Sequence, residues 1–587
     1  MSPRGGTRGG LAVLHMRRSR VERADQSVQL RETMQPHFQS PQDAPDARLR
    51  AFPIGRVVSV DGAHAVITAP RSDPEALAGE ESPLSVGKLL SINAGPVRVI
   101  GVIYATAAAN QGGQEGEIGP TLVKVELVGQ IRDGAKPVFE RGIQHYPPIG
   151  AGVLPVGPTD LITIYDYGSD ETIVIGRLGQ DPSIEATVRV QDLLQKHFAV
   201  LGTTGCGKST SVSLILHEIL KSSQGARVLL IDPHNEYKGS FGELAHLISP
   251  RNLNLPYWLF NFEEFTDVIY RRRPGVPEEL DALADFIPLA KARYAQKQEK
   301  SSLLLRRDVD DAGHTVDSPV PYRLSDLLAL IDDQLGKLEG KEDRPRLRRL
   351  RARIQSVAQD PRYQFMFSSR TIEDSMAELL KTLFRIPTEG KPITIVELAG
   401  FPAEVVDAVV SVLCRLAFEL GMWGNGRVPI LVVAEEAHRY VPADKRLGFG
   451  PTRRAISRIA KEGRKYGVYL GVVTQRPSEL DPTILSQCST IFAMRLANDA
   501  DHAIIRSAVS DAATSTLEAL PSMGNREALA FGEAVSMPMR VRFTNLPESM
   551  LPKSKLRGLQ DDSAEAQSGG FVEEVVQRWR SVEHRGR

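Results

Sequence analysis

The chain has 587 residues, of which 42% are hydrophobic and 25% are charged, a composition typical of a globular protein with a core. Lysine plus arginine and aspartate plus glutamate both total 72, so the net charge is zero and any nucleic-acid surface must be a local patch. Three cysteines, Cys206, Cys414 and Cys488, are too few for a disulfide framework and lack metal-ligand spacing, so we expect a reducing, cytoplasmic location.

The N-terminal segment differs in texture from the part of the chain that follows it. Residues 1–48 are polar and without hydrophobic period, which predicts a disordered tail. After it, short runs of strand-forming residues are separated by turn signals such as Asp61-Gly62 and Gly95-Pro96. Many short strands with regular turns predict a small barrel or sandwich over residues 49–180. The runs are Ile54–Val60, Ala65–Thr68, Lys88–Ile92, Val97–Tyr104 and Val123–Ile131.

An alternation of strand and helix begins near Ile184. Phe198–Leu201 and Arg227–Ile231 are short apolar runs typical of buried strands, and Ser209–Lys221 between them has the apolar spacing of a helix. Strand, helix and strand within about 35 residues predict a βαβ unit of a parallel sheet. We therefore assign residues 181–261 to the first part of an α/β domain.

The middle of the chain is different, because residues 262–385 have helical periodicity and almost no strand signal. We predict a helical insertion into the α/β domain, with Ser325 as the N-cap of one helix. The predicted helices are Glu278–Lys291, Ser325–Leu338, Arg346–Ala358 and Ile372–Phe384. Strands return in residues 386–550, at Ile393–Leu398, Ile430–Ala434, Tyr469–Thr474 and Thr490–Arg495. Residues 551–587 are predicted to form a polar tail with one terminal helix over Phe571–Val582.

A phosphate-binding motif follows the first predicted strand of the α/β domain. The run GTTGCGKS matches G-x-x-x-x-G-K-[ST], the Walker A motif, and it stands between a strand and a helix as that motif requires. Its backbone N–H groups would surround phosphate oxygens at the positive end of the helix. Lys208 would reach the β- and γ-phosphates, and the Ser209 hydroxyl would bind Mg²⁺. The expected nucleotide-binding residues are Gly202, Thr203, Thr204, Gly205, Cys206, Gly207, Lys208, Ser209 and Thr210.

Two acids end the predicted strand Ile430–Ala434. Beside a phosphate loop, one such acid holds Mg²⁺ through water and the other activates the attacking water. By position we assign the metal role to Glu435 and the catalytic role to Glu436. The alternative is a solvated pair of acids at a helix start, which the neighbouring phosphate loop disfavours.

Further polar residues stand at strand ends, where the ligand of a parallel sheet lies. Gln475 ends another apolar strand and could sense the γ-phosphate or the attacking water; the alternative is an ordinary loop glutamine. Asp232 and Glu236 follow the second strand, and they could either support the ligand site or cap the segment after them.

An arginine from a neighbouring subunit can stabilise the charge that develops during phosphoryl transfer. We favour Arg464, because glycines flank its short segment and the segment leads into the strand that carries Gln475. The alternative for Arg464 is an ordinary surface arginine. The full set of candidates is Arg458, Arg464, Arg476 and Arg495.

Four segments occur in the order GTTGCGKST, IDPHNEY, LVVAEEAHRYVP and KEGRKYGVYLGVVTQRPSELDPTILSQCSTIFAMRL. Together they resemble the HerA family of the HerA/FtsK superfamily, and the resemblance covers residues 50–550. It implies a RecA-like P-loop NTPase core with a HAS-type N-terminal β-barrel and an inserted helical bundle. It also implies a homohexameric ring that uses ATP and Mg²⁺ to translocate along double-stranded DNA. Family members work with a NurA-like nuclease in DNA end processing, or with an effector protein in phage defence.

The same resemblance assigns roles by motif. Lys208 and Ser209 would bind phosphate and Mg²⁺, Glu436 would be the catalytic carboxylate, Gln475 the sensor and Arg464 the arginine that acts in trans. One position departs from the pattern of many related ATPases, which have aspartate before the catalytic glutamate where this chain has Glu435.

Contacts to DNA are expected from a short loop that grips phosphates without reading sequence. Basic residues flank the Gly/Pro segment Leu447–Pro451 after the strand that ends in the two acids, and they are our choice for a pore loop. These are Lys445, Arg446, Arg453 and Arg454. The rival basic run Arg344–Arg353 has helical spacing, which favours a solvated helix face.

Two other functions use the same motifs. One is a secretion or conjugation motor, and the other is a scaffold ring whose ATP use gates a nuclease. The most apolar long stretch, Val405–Trp423, is interrupted by three charged residues, so no membrane insertion is expected. This counts against a membrane-anchored motor.

Overall fold

The computed structural model describes most of the chain beyond its N-terminal segment. All elements given below belong to the second of two compact units, Ile54–Arg587. The predicted tail over residues 1–48 lies outside the described residues, and so does the predicted helix Phe571–Val582 apart from Glu573 and Val576. The described residues are 52–70, 82–108, 119–271, 273–301, 313–337, 343–367, 373–401, 403–508, 515–552, 573 and 576.

The first seven strands form a closed barrel with one added strand. The order is β2-β1-β7-β3-β4-β5, and pairing of β2 with β5 closes the ring, while β6 lies beside β5. Closure removes the free edges that an open sheet would leave. The bounds are β1 Gly55–Asp61, β2 His64–Ala69, β3 Leu89–Asn93, β4 Val97–Ala108, β5 Thr121–Arg132, β6 Val138–Arg141 and β7 Gly152–Pro155.

A sheet of eleven strands forms the centre of the rest of the unit, in the order β12-β13-β11-β14-β15-β10-β16-β17-β18-β8-β9. The first seven strands in this order are parallel, and the last four extend the sheet antiparallel. The bounds are β8 Thr172–Leu178, β9 Glu185–Arg189, β10 Phe198–Leu201, β11 Arg227–Asp232, β12 Ala245–Ile248, β13 Ile393–Glu397, β14 Ile430–Ala434, β15 Val468–Thr474, β16 Thr490–Met494, β17 Glu527–Gly532 and β18 Met539–Phe543.

The parallel strands read as continuous apolar runs because helices cover both faces of this part of the sheet. Every residue of β10, β13, β14 and β16 is buried. The predicted α/β class with an N-terminal barrel and a helical insertion is thereby confirmed. The predicted strands Phe198–Leu201 and Ile430–Ala434 have the bounds that the structure gives them.

One predicted boundary differs from the structure. The strand-forming texture predicts a barrel unit that extends to residue 180, but β8 pairs with β18 and β9 of the large sheet. The short strand β8 has the same strand-forming texture as the barrel strands, so its pattern cannot say which sheet it joins. Its partner strand β18 lies far along the chain. The pairing of residues such as Val541 with Leu178 makes β8 part of the large sheet.

The helical insertion separates β12 from β13. Its helices share one continuous apolar core with the sheet. The predicted N-cap Ser325 is wrong, because the helix begins at Leu324 and Ser325 therefore lies in its first turn. The helices that the structure describes with bounds are α1 Pro158–Ile164, α2 Val190–Gln195, α3 Lys208–Ser222, α4 Lys238–Phe241, α5 Phe262–Tyr270, α6 Pro277–Ser301, α7 Leu324–Lys337, α8 Asp343–Ala358, α9 Gln364–Phe367, α10 Met376–Phe384, α11 Ala403–Trp423, α12 Gly450–Glu462, α13 Pro482–Leu485 and α14 Asp499–Ala508.

A buried ion pair ties the insertion to the α/β part of the unit. Glu264 on α5 accepts hydrogen bonds from Arg415 and Ser411 on α11, and Arg415 also donates to the carbonyl of Leu259. Glu264 additionally completes a capping box with Asn261 at the start of α5. These bonds satisfy both buried charges and fix α5 on α11. Among the described helices, none has the length and apolarity needed to cross a membrane.

Candidate nucleotide site

The phosphate loop connects β10 to α3 at the carboxyl edge of the parallel strands. Gly205 and Gly207 have φ of +79° and +98°, values that favour glycine. A side chain at Gly207 would also lie 2.7 Å from Cγ of Arg526. The loop is tied to the neighbouring strands, because Gly202 N–H donates to the carbonyl of Thr474. The sequence motif therefore has the backbone shape that its phosphate-binding role requires.

A cleft of about 530 Å³ opens in front of this loop. Most of the polar residues singled out from the sequence face it, although they come from four different strand ends. Lys208 is buried at its base. The lining residues are Thr204, Gly205, Gly207, Lys208, Ser209, Thr210, Asp232, His234, Glu236, Tyr237, Glu435, Glu436, Gln475 and Pro552.

One side of the cleft carries the groups that would hold a metal ion. Ser209 Oγ donates to Glu236 Oε2 at 3.0 Å, and the Tyr237 hydroxyl donates to the Glu435 carboxylate. Burial raises the pKa of Glu435 to about 7, although the charge of Lys208 and the hydrogen bond from Tyr237 both lower it. A hydroxyl beside buried carboxylates is a donor set that fits Mg²⁺, which prefers hard oxygen ligands.

Asp232 has a supporting place under the same side of the cleft. Its carboxylate accepts hydrogen bonds from the backbone N–H groups of His234 and Tyr237, at 3.1 and 3.0 Å. Burial raises its pKa to about 6 in spite of these bonds. Asp232 thus caps the turn after β11, which is one of the two alternatives given above. Glu236 instead contacts Ser209 of the phosphate loop, which is the other alternative, support of the ligand site.

The other acid of the pair, Glu436, has a strained backbone. Its φ of +51° is rare for a residue with a side chain, and such strain clusters at functional sites. The carboxylate is buried, and Oε2 has no hydrogen-bond partner among the described residues. Two imidazoles flank it, with His438 Nδ1 at 3.3 Å from Oε2 and His234 Nε2 at 3.8 Å from Oε1. A buried carboxylate with a free lone pair that faces the cleft can accept a proton from water.

Gln475 lies across the cleft from the acids. Its Oε1 accepts a hydrogen bond from the Thr204 hydroxyl in the phosphate loop. The glutamine is therefore in contact with the loop whose ligand it is expected to sense.

Arg464 lies elsewhere, at the amino edge of the sheet. Its Nη2 donates to the carbonyls of Lys196 and Gln487, at 2.8 and 3.0 Å, and to Oγ of Ser489 at 2.9 Å. Lys196 precedes β10, and Ser489 directly precedes β16, so the guanidinium faces the edge opposite the phosphate loop of its own chain.

The other candidate arginines have different surroundings. Arg458 stacks over the ring of Phe418 at 4.1 Å, and Arg476 pairs with Glu479 at 2.7 Å. The carbonyl of Arg495 accepts the N–H of Thr203 at 3.0 Å, so its backbone supports the phosphate loop.

The candidate DNA-binding residues belong to an exposed loop before α12 and to its first turn. Lys445 and Arg446 are exposed, and Arg446 pairs with Asp444 at 2.9 Å. Arg453 donates to the carbonyls of Lys445 and Leu447, at 2.9 and 2.6 Å, and so holds the loop in shape. Arg454 is exposed and pairs with Glu263 of the insertion.

In the rival basic run on α8, several arginines are paired with acids of the neighbouring helices. Arg351 lies 2.6 Å from Asp332, and Arg353 stacks 4.5 Å over Tyr270. This agrees with a helix face engaged in ion pairs.

Five residues of the site were not singled out from the sequence. His234, Tyr237 and His438 stand within the quoted motifs, close in sequence to candidate acids, so a search for polar groups in those motifs finds them. Arg526 and Pro552 have no such signal, because the fold alone brings these distant positions to the loop and the cleft.

Comparison with known proteins agrees with the resemblance seen in the motifs. Residues 173–417 match the family described as "Helicase HerA, central domain". The DNA double-strand break repair helicase HerA of Pyrococcus furiosus is 26% identical over 493 residues, which cover 78% of this chain and 83% of that one. These matches make the chain similar to HerA helicases over most of its length. The HerA of Sulfolobus acidocaldarius is 24% identical over 439 residues, covering 73% of this chain and 79% of the relative.

Among solved structures, this chain is similar to VirB4 of Thermoanaerobacter pseudethanolicus, with a TM-score of 0.46 and 16% identity over 65% of this chain and 98% of that one. The conjugative coupling protein TrwB gives a TM-score of 0.41 and 14% identity over 68% of this chain and 94% of that one. With this similarity to HerA helicases and a complete phosphate loop, the chain is an ATPase.

The buried charge of Glu435 generates a prediction about stability without nucleotide or Mg²⁺. The folded pKa of about 7 exceeds the unfolded value of 4.5, so the stabilisation present below pH 4.5 is lost as the pH rises to 7. Glu435→Gln removes this loss, and at pH 8 it should stabilise the fold by up to about 3 kcal/mol. Thermal unfolding in EDTA at pH 5 and pH 8 measures the effect, which should be small at pH 5.

The exposed Glu243 offers a matched control. Glu243→Gln should leave the melting temperature nearly unchanged at both pH values. A Glu435→Gln variant that is destabilised at pH 8, or stabilised equally at both pH values, would contradict this account of the buried carboxylate.

Proposed function

We propose that the chain is a ring-shaped motor that couples ATP hydrolysis to translocation along double-stranded DNA. The observation that carries the proposal is the pairing of a complete phosphate cleft with Arg464 at the opposite edge of the same sheet. Relatives named as DNA double-strand break repair helicases support DNA as the track.

The roles within the cleft follow from the geometry. Lys208 and the loop N–H groups bind the phosphates, and Ser209 and Glu435 would hold Mg²⁺. When bound, Mg²⁺ neutralises charge on the β- and γ-phosphates. Glu436 orients the attacking water and takes its proton, and Gln475 exchanges its bond to Thr204 for a contact with the γ-phosphate.

The place of Arg464 supports a ring. An arginine that faces away from the cleft of its own chain can complete the cleft of a neighbour, provided that the amino edge of one copy meets the carboxyl edge of the next. Such head-to-tail contacts use two different surfaces and close into a ring when the rotation between neighbours divides a full turn. We propose a homohexamer, as the family resemblance implies, with an ATP site at each junction.

The loop that carries Lys445 and Arg446 is proposed to line the pore. It follows β14 and the two acids, so nucleotide-dependent movement of that segment reaches the loop directly. Contacts to DNA phosphates would give grip without sequence preference. We further propose that the ring works with a NurA-like nuclease in DNA end processing, with a phage-defence effector as the alternative partner.

The proposal predicts DNA-stimulated hydrolysis. Linear double-stranded DNA should raise the ATPase rate of the purified protein, whereas Lys208→Ala should be inactive with and without DNA because the β/γ-phosphate contact is lost. Phosphate release at fixed ATP, with and without DNA, is the measurement. Wild-type hydrolysis that ignores DNA would overturn the DNA proposal and favour a secretion motor or a gated scaffold.

The pore loop has its own prediction. Arg446→Ala combined with Arg453→Ala removes one exposed charge and the side chain that holds the loop, so DNA stimulation should be lost while basal hydrolysis survives. Arg344→Ala combined with Arg348→Ala removes the same charge from α8 and should leave stimulation intact. Unchanged stimulation in the first double variant would exclude this loop, and loss in the second would move the DNA surface to α8.

Action of Arg464 in trans can be tested by mixing subunits. Glu436→Gln and Arg464→Ala proteins should each be inactive alone, because each spoils every site of a uniform ring. Mixed rings contain junctions with one intact Glu436 and one intact Arg464, so partial ATPase activity should return. Absence of recovery across mixing ratios, with subunit exchange shown by a labelled subunit, would contradict action in trans.

A further inference from the structure

His438 lies between the two sides of the cleft and contacts both. Its Nδ1 is 2.9 Å from Oγ1 of Thr474 and 3.3 Å from Oε2 of Glu436. Thr474 is the last residue of β15 and directly precedes Gln475. One imidazole therefore bridges the catalytic carboxylate and the strand end that carries the sensor.

The hydrogen-bonding capacities of these groups restrict the state of the imidazole. A carboxylate oxygen only accepts hydrogen bonds, so its closeness to Nδ1 favours the tautomer with the proton on Nδ1. Burial also lowers the pKa of His438 and favours the neutral ring. The Nδ1 proton then points between Glu436 and Thr474, where either oxygen can accept it.

Of the two imidazoles beside Glu436, His438 makes the closer approach, at 3.3 Å. Oε2 lacks a hydrogen bond of ordinary geometry within the described residues, and the strained φ of +51° leaves the carboxylate dependent on its neighbours. His234 on the other oxygen is more distant, at 3.8 Å, and its side chain is 51% exposed. His438 is 12% exposed and so restrains the carboxylate more tightly.

The opposite end of the bridge is connected to the nucleotide-binding loop. Thr474 Oγ1 accepts the backbone N–H of Arg476 at 3.1 Å, which fixes the turn around Gln475. Gln475 in turn accepts the hydroxyl of Thr204. Gln475, Thr474 and His438 thus form a continuous series of contacts from the phosphate loop to Glu436.

We propose that His438 is a positioning residue that sets the Glu436 carboxylate according to whether Gln475 engages nucleotide. The proposal rests on the roles proposed above for Glu436 and Gln475. It does not require His438 to touch the nucleotide. Because Arg476 N–H already satisfies Thr474, removal of the imidazole should cost little stability and act mainly on the catalytic step.

The test uses basal ATP hydrolysis without DNA. His438→Ala should lower kcat by roughly 10- to 100-fold, less than loss of a general base itself. The KM for ATP and the affinity for a fluorescent non-hydrolysable ATP analogue should stay within about 2-fold, because uniform binding is unaffected. His438→Asn, whose amide can replace the Nδ1 donor, should recover much of the rate.

Thr474→Val removes the other end of the bridge and should show the same kcat defect. The double variant should be no slower than the worse single variant, because the two residues act as one unit. The matched control is Thr394→Val on β13, since Thr394 is equally buried and its hydroxyl has no hydrogen-bond partner in the described part of the chain. That control should hydrolyse ATP at the wild-type rate.

The outcomes separate the hypotheses. Wild-type kcat in His438→Ala, multiplicative defects in the double variant, or equal losses of kcat and analogue binding would overturn the relay. A Glu436→Gln protein with full activity would overturn both the relay and the assignment of the base. Lack of DNA stimulation would contradict the translocase proposal alone, because the relay is measured without DNA.

Discussion

When both faces of a parallel sheet are covered by helices, polar side chains from several strands can lie together only at the ends of those strands. In this chain β10, β11, β14 and β15 are apolar along their length, and the groups of the cleft follow at their carboxyl ends. The phosphate loop, Asp232, the pair of glutamates and Gln475 thereby meet although the insertion and several crossovers separate them in sequence. The geometry of the site is thus a consequence of strand burial and parallel direction.

This arrangement concentrates negative charge. Asp232, Glu236, Glu435 and Glu436 face one cleft in which Lys208 is the buried cation. Burial raises the pKa of Glu435 and Asp232, so the carboxylates destabilise the fold near neutral pH until cationic charge is supplied. The same imbalance gives a bound Mg²⁺ a large favourable interaction. Stability without ligand is therefore reduced by the very charges that hydrolysis needs.

Many of the strands and the acids at their ends could be predicted from the sequence. Apolar residues at every second position, or in a continuous run, directly indicate which residues of a strand are buried. The strand Ile430–Ala434 and its two terminal acids show this. Pairing between distant segments has no such signal, which is why β8 was assigned to the barrel and Arg526 was not connected to the phosphate loop. Ser325 was misplaced because the helix begins one residue earlier than the cap preference suggests. The bridge through His438 depends on side-chain contacts across two strand ends, and a one-dimensional pattern does not contain them.

The central claim is that hydrolysis in this cleft moves the protein along DNA. Displacement of streptavidin from the end of a biotinylated linear duplex measures such movement directly. The account predicts that wild-type protein with ATP removes the streptavidin and that Glu436→Gln, which keeps the phosphate loop, does not. If the wild type hydrolyses ATP on DNA but leaves streptavidin in place as Glu436→Gln does, hydrolysis serves another purpose and the translocase account is contradicted.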